Sequence, residues 1–311
     1  MFRVIADTPL APNIEKLLAG KVEILPWQVA LDGSPEPIDA LYTYGHPIVN
    51  GPLLDRVKGL RVISNYGVGV DHIDLAAAKE RAIPVGNTPG ILDGATADMA
   101  FALLLAAGRR LAEGDRYARS PEFTRYDPGY MLGREVHGAT LGIVGLGRIG
   151  VEIARRARGF SMQILYHNRR RRPEAEQELG ATYLPLNDLL AQSDYVMIVC
   201  PLSAETRGLI GRDQLALMKT TAILVNIARG PIVDTDALTR ALGARKIYAA
   251  AVDVTDPEPL PRDHPLLRLD NLTITPHLGS ATEQTRQRMA EMSVENLLAG
   301  LDGKPLPNRV V

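Results

Sequence analysis

The segment LGIVGLGRIG, residues 141–150, constrains the fold of this chain more than any other. An apolar run, Leu141–Val144, ends in Gly145-x-Gly147-x-x-Gly150, and apolar residues at helical spacing follow (Val151, Ile153, Ala154, Ala157). Each glycine meets a steric demand: Gly145 makes the tight turn, Gly147 lets backbone approach a pyrophosphate, and Gly150 lets the helix pack on the strand. The helix that starts there offers unbonded N–H groups and a positive dipole end to phosphate. Glycine turns are common, so three glycines alone say little. Here a second apolar strand, Gln163–His167, follows where a dinucleotide-binding βαβ unit needs it.

In units that bind NAD, an Asp or Glu about 20 residues past the glycines holds the ribose 2′-hydroxyl. This chain has Asn168 there, followed by Arg169, Arg170, Arg171 and Arg172, and meets no acid before Glu174. A guanidinium forks onto a phosphate, whereas a carboxylate repels it. Loss of the acid and gain of the cations point to the 2′-phosphate of NADP, with two or more of the arginines expected only to face solvent.

At 311 residues the chain exceeds the ~250–300 at which a single core stops growing, so two domains are expected. A net charge of −1 supplies no field that would gather nucleic acid or an anionic membrane. The longest apolar run, Met99–Gly108, is far shorter than the roughly 20 residues a bilayer span needs, and the first residues lack a signal-peptide pattern. Cys200 is the single cysteine, which excludes an intrachain disulfide and suits a reducing cytoplasm. The 6 histidines are scattered, none at ligand spacing with another His or Cys, so no metal site is expected.

Apolar runs at Arg3–Ala6, Val22–Leu25, Ala40–Tyr44, Val62–Ser64 and Ile83–Val85 alternate with helical patterns such as Ile14–Leu18 and Leu53–Val57. That alternation predicts a first α/β unit with a parallel sheet. Thr96–Arg110 then reads as a helix apolar nearly all round, hence buried on several sides, between domains and in a subunit interface. A loop with Pro121, Pro128, Gly129 and Gly133 leads into the glycine unit. The fold class predicted is α/β, with two doubly wound, Rossmann-like parallel-sheet domains. The smaller, flavodoxin-like one is discontinuous (1–97 and 286–311), and 98–285 bind the dinucleotide.

Beyond the glycine unit, four apolar strands end in chemically distinctive residues. Tyr195–Val199 ends at Cys200-Pro201, Ala222–Ala228 at Arg229-Gly230, Tyr248–Val252 at Asp253 with Glu258 shortly beyond, and Leu272–Thr275 at Pro276-His277. Ligands of parallel sheets bind outside the strand C-termini, so Arg229, Glu258 and His277 should converge where the glycine loop lies. Their chemistry is complementary. Reduction of a 2-oxo acid needs a group for the carboxylate, a proton donor and a hydride source. Arg229 can fork onto carboxylate and carbonyl, His277 can exchange a proton near neutral pH, and Glu258 can favour its imidazolium and fix its tautomer.

The motifs YGVGVDHID (66–74), GATAD (94–98), GLGRIG (145–150), NIARG (226–230), DVTDPEP (253–259) and TPHLGSAT (275–282) together resemble the D-isomer-specific 2-hydroxyacid dehydrogenase family, over essentially the whole chain. Within the family, DVTDPEPLPRDHPLLRLDN looks most like glyoxylate/hydroxypyruvate reductases. The resemblance implies Arg229 for substrate, Glu258 as partner of His277, and His277 as acid/base. It also implies that the N–H groups of Val68 and Gly69 hold the substrate carboxylate. Cofactor contacts carry over to Thr96, Gly145, Leu146, Gly147, Arg148, Ile149, Asn168, Arg169, Arg170, Cys200, Pro201, Thr206, Ile227, Ala228, Arg229, Asp253, His277 and Gly279. Tyr126 and Tyr130 stand where reductases of this group carry tryptophans that reach toward a partner subunit.

The expectation is therefore an NADPH-dependent reductase of glyoxylate, hydroxypyruvate or a similar small 2-oxo acid, with NAD as a weaker cofactor. It is expected to work as a cytoplasmic homodimer with no nucleic-acid or membrane partner. A 2-ketogluconate reductase stands close behind, and a corepressor-like dinucleotide sensor is the non-enzyme alternative. Phosphoglycerate is disfavoured because residues 44–55 hold no Lys or Arg, and formate because Glu258 stands where its enzymes carry Gln.

Overall fold

In the computed structural model, which describes residues 1–311, the apolar runs form two separate all-parallel sheets. The smaller unit holds β1 (Phe2–Ala6), β2 (Val22–Pro26), β3 (Ala40–Thr43), β4 (Val62–Asn65) and β5 (Val85–Gly86), in the order β2-β1-β3-β4-β5. This is the flavodoxin-type winding. One core cluster (Ile5, Leu41, Ile63, Val85 and their neighbours) covers one face of the sheet, and the last long helix, Glu283–Leu301, packs on the alternate residues of β3, β4 and β5 on the other face. Thr282 caps that helix by accepting from the Thr285 N–H. Buried Ser293 hydrogen-bonds Tyr42 Oη at 2.7 Å and accepts from Ser64 through its carbonyl. Gly300 lies so close to Val62 that a Cβ would collide with it.

The larger unit holds β6 (Thr140–Val144), β7 (Gln163–His167), β8 (Thr182–Tyr183), β9 (Tyr195–Ile198), β10 (Ile223–Asn226), β11 (Ala249–Val252) and β12 (Leu272–Ile274). Their order, β12-β11-β10-β9-β6-β7-β8, reverses direction between β6 and β9, the Rossmann pattern with one further strand. Every residue of β9, β10 and β11 is buried, as a sheet covered on both faces requires.

The apolar helix runs Asp93–Gly108, starting before the predicted Thr96 because the turn at 90–93 already winds into it. Leu103 and Leu104 are fully buried as it packs on β10, β11 and the helix Arg148–Gly159. Each such leucine contributes about 1.5–3 kcal/mol by leaving water. Arg110, in a left-handed conformation (φ 53°), breaks the helix and starts another, Leu111–Ala118, which buries none of its residues.

The chain divides into Met1–Leu92 with Thr282–Val311, and Asp93–Ala281. The boundaries expected at 97/98 and 285/286 thus move to helix starts: the whole Asp93 helix belongs to the larger unit, and the capped Glu283 helix to the smaller. No helix is long and apolar enough to cross a membrane.

Candidate active site

β6 ends in the glycine loop, and at two of its positions the backbone leaves no alternative to glycine. Gly145 has φ 108°, and a Cβ on it would lie 2.5 Å from the Cys200 nitrogen, where the end of β9 passes. A Cβ on Gly150 would strike the Gly145 carbonyl. At Gly147 the reverse holds: a Cβ would meet nothing within 4 Å, so the loop faces open space. The first helical bond is Val151 N–H to Gly147 C=O. The N–H groups of Arg148, Ile149 and Gly150 are therefore left outside the helical ladder at the positive end of a 12-residue helix. A flat, bare approach above unbonded N–H groups suits a dinucleotide pyrophosphate, so the residues fit that group. Arg148 is 70% exposed at its side chain and its Nε donates to Asp93 at 2.8 Å.

Cys200 is not a nucleophile in this arrangement. Burial pushes its thiol up to about 11, and reactive cysteines are the ones shifted down. Thr206 closes the loop after β9, donating to the Pro201 carbonyl at 2.7 Å and accepting from Ser203 N–H at 2.8 Å.

The four arginines after β7 divide. Arg171 pairs with Glu176 at 2.6 Å and lies over the Tyr183 ring. Arg172 donates through Nη1 to the Leu146 carbonyl at 3.0 Å. Arg169 pairs at 3.2 Å with Glu205, an acid brought in from the loop after β9, and both are largely exposed. Arg170 is exposed. Asn168 Oδ1 accepts from the Leu146 N–H at 2.7 Å. The backbone groups of Leu146 are thus engaged by protein.

The segments that carry Arg229 and His277 are held by buried polar residues that the sequence motifs contain but do not explain. Asn226, 1% exposed, accepts from Ala228 N–H and donates to the Arg229 carbonyl, shaping the turn that carries Arg229. Asp253, 2% exposed, accepts from Thr275 Oγ1 at 2.6 Å and from Leu278 and Gly279 N–H at 2.7 Å each. One carboxylate therefore grips the loop on both sides of His277, whose own N–H donates to the Asp253 carbonyl. That grip sustains φ 57° at His277, a left-handed conformation that costs a non-glycine residue roughly 1 kcal/mol or more. Gly279 packs against Thr96, Ile227 and Asp253, drawing four predicted cofactor residues together.

His277 Nδ1 and Glu258 Oε1 are 2.7 Å apart. Burial pushes the Glu258 carboxyl up. The His277 hydrogen bond and charge, the Thr255 N–H and the nearby Arg229 charge outweigh it and hold the carboxyl below its ordinary value. The three side chains predicted from separate strand ends thus form one electrostatic group.

In the smaller unit, the turn after β4 has its carbonyls pinned. Asn65 Nδ2 donates to Gly67 and Gly69 C=O at 2.9 Å, and Asn87 Nδ2 to Val68 C=O at 2.9 Å. Other histidines serve local structure: His264 caps a 3-10 turn through Leu266 N–H, His167 bonds the Leu184 carbonyl, and His46 packs edge-on against His72.

A phosphate-facing loop at the switch point of a doubly wound sheet, with an arginine and a carboxylate-paired histidine at neighbouring strand ends, defines a nicotinamide-dependent oxidoreductase of the α/β class. Residues 101–279 match the family model "D-isomer specific 2-hydroxyacid dehydrogenase, NAD binding domain". A glyoxylate reductase of Korarchaeum cryptofilum is 49% identical over 273 residues, 88% of this chain and 82% of that protein. A structure from Thermus thermophilus superposes with TM-score 0.91 at 44% identity, covering both chains in full. The NADPH-dependent glyoxylate/hydroxypyruvate reductase of Sinorhizobium meliloti, solved with NADP and malonate, gives TM-score 0.91 at 30% identity, covering 100% of this chain and 97% of that one. The chain belongs to the D-isomer-specific 2-hydroxyacid dehydrogenase family.

Proposed function

We propose that the protein reduces small 2-oxo acids, glyoxylate and hydroxypyruvate foremost, to 2-hydroxy acids with NADPH. The observation that carries this reading is the His277–Glu258 contact beside Arg229, on the sheet edge that also bears the glycine loop. A dinucleotide held by its pyrophosphate at Gly145–Gly150 would supply the hydride for the carbonyl carbon. Arg229 binds the carboxylate and carbonyl oxygen. His277, with Nδ1 committed to Glu258, delivers a proton to the carbonyl oxygen from Nε2, so that hydride and proton together complete the alcohol. Glyoxylate-reductase relatives and the NADP-bound neighbour support the substrate and cofactor classes. A panel of glyoxylate, hydroxypyruvate and 2-ketogluconate, each with NADPH and NADH, tests the reading. We expect the highest kcat/KM with NADPH and one of the first two. Preference for 2-ketogluconate reassigns the substrate, and absence of turnover with every pair favours the sensor alternative.

The preference for NADPH rests on Asn168, Arg169 and Arg170 in place of an acid. The exposed Arg169–Glu205 pair is no obstacle, because such surface pairs are worth about 0–1 kcal/mol. A 2′-phosphate of nearly two charges displaces it.

We further propose a two-fold homodimer. Phe123, Tyr126 and Leu132 are 49%, 82% and 69% exposed in the segment after the second helix of the larger unit, and large apolar side chains left open close together in one segment suit burial against a twin subunit. Light scattering at micromolar concentration should return twice the 33.8 kDa subunit mass. A monomer would remove the idea, together with any reach of Tyr126 or Tyr130 to a partner's site.

A further inference from the structure

The arginine run reads from sequence as one phosphate-binding cluster, but its members do different work. Leu146 lies between the two glycines of the loop, the point where the backbone is freest to swing. Its side chain is fully buried and both its backbone polar groups are taken up by the turn after β7. Asn168 Oδ1 accepts its N–H at 2.7 Å, and Arg172 Nη1 donates to its carbonyl at 3.0 Å. Arg172 is itself anchored, its backbone N–H donating to Tyr166 Oη at 2.8 Å. That hydroxyl donates on to Glu176 at 2.5 Å, and Glu176 also holds Arg171. Tyr166 is fully buried in β7. A continuous series of bonds thus runs from the interior of the second strand to the phosphate-facing loop of the first.

We infer that Asn168 and Arg172 are positioning residues that fix the glycine loop, so that discrimination of the 2′-phosphate falls to Arg169 and Arg170. The positioning role of Asn168 and Arg172 rests on the dinucleotide reading of the loop and not on which dinucleotide is preferred, whereas the role left to Arg169 and Arg170 rests on the NADPH reading. Its consequence is a split that charge alone would not produce. Loosening Leu146 disorders the N–H groups that meet the pyrophosphate, which all these nucleotides share. Removing a phosphate-reading arginine affects only the nucleotide that carries the 2′-phosphate.

The test measures calorimetric binding of NADPH, NADH and ADP-ribose to the unmodified protein and to four variants, with Tm as a control for folding. Arg172→Ala should weaken all three ligands by a similar factor, about 3- to 10-fold, the size expected for one lost hydrogen bond. Arg172→Lys, which keeps a donor, should recover most of it. Asn168→Ala should behave like Arg172→Ala. Arg169→Ala combined with Arg170→Ala should weaken NADPH alone. Selective loss of NADPH in Arg172→Ala, unchanged binding of all three, or a loss matched by a fall in Tm in both Arg172→Ala and Asn168→Ala each overturns the positioning role. No binding of any nucleotide to the unmodified protein defeats the dinucleotide reading itself, and this inference with it.

Discussion

Replacing His277 by alanine is expected to lower kcat for 2-oxo acid reduction by about 10²–10⁴, the usual contribution of a positioned general acid. His277→Asn is the better control. Asparagine tolerates the left-handed backbone that position 277 adopts (φ 57°), so its loss of rate reports chemistry rather than strain. Activity that survives in both variants would remove His277 from the proton-donor role. The partner variant, Glu258→Gln, tests how the donor is maintained. Reduction needs a proton donor at Nε2 of the imidazole. Glu258→Gln should lower kcat, because the imidazole loses the carboxylate that orients its Nδ1. The contact with His277 helps hold the Glu258 carboxyl below its ordinary value, against the upward push of burial. A lowered carboxyl also stabilises the fold above its ordinary range near 4.3 and stops doing so as pH falls through the lowered value. The variant should accordingly lose less stability than the parent on acidification, read as Tm against pH.

The second large effect is expected in cofactor choice. In the unmodified protein kcat/KM should favour NADPH over NADH. Asn168→Asp with Arg169→Ala should reverse the order, since it removes an attraction and adds a carboxylate next to the 2′ position. Charge-assisted hydrogen bonds contribute roughly 1.5–3 kcal/mol each, which corresponds to about 10–150-fold per contact. The introduced aspartate keeps an oxygen for the Leu146 N–H, so the glycine loop should stay in place and NADH should gain rather than merely lose less. The parent preference should also weaken with added salt, because Arg169 is 80% exposed at its side chain and its charge is screened. Equal efficiency with NADH in the unmodified protein would reduce the arginine run to a scaffold for the loop.

Much of the fold was legible because its signals are local. The glycine loop, the apolar strands and the residues at their ends each carry their meaning within a few positions, and the parallel-sheet rule then collects them on one edge. Arg229, Glu258 and His277 could be named that way. What stayed hidden depends on partners distant in the chain. Asp253 stands in a recognisable motif, yet nothing local says that its carboxylate will hold Thr275, Leu278 and Gly279. Glu205 looks like any loop acid until the fold sets it against Arg169, 36 residues away. The helix Leu111–Ala118 escaped because it buries nothing, and burial is what periodicity reports. The unit boundaries shifted by a few residues for a related reason: apolar periodicity locates the middle of a helix better than its capped start.

The path of the chain through the smaller unit has a consequence for biosynthesis. Its five strands are complete by Gly86, but the helix that seals them is Glu283–Leu301, with Ser293 bonded to Tyr42 and Ser64 and Leu297 and Leu301 fully buried. During translation those strands leave the ribosome with one face only partly covered, by the helix Pro12–Leu18, and wait while Asp93–Ala281 is made. The unit that begins first must finish last. The larger unit, contiguous in sequence, can fold meanwhile, since domains generally fold as units as they emerge. A nascent chain of this design keeps the sheet face under Glu283–Leu301 incompletely covered until that helix is made, the interval in which a chaperone has something to hold.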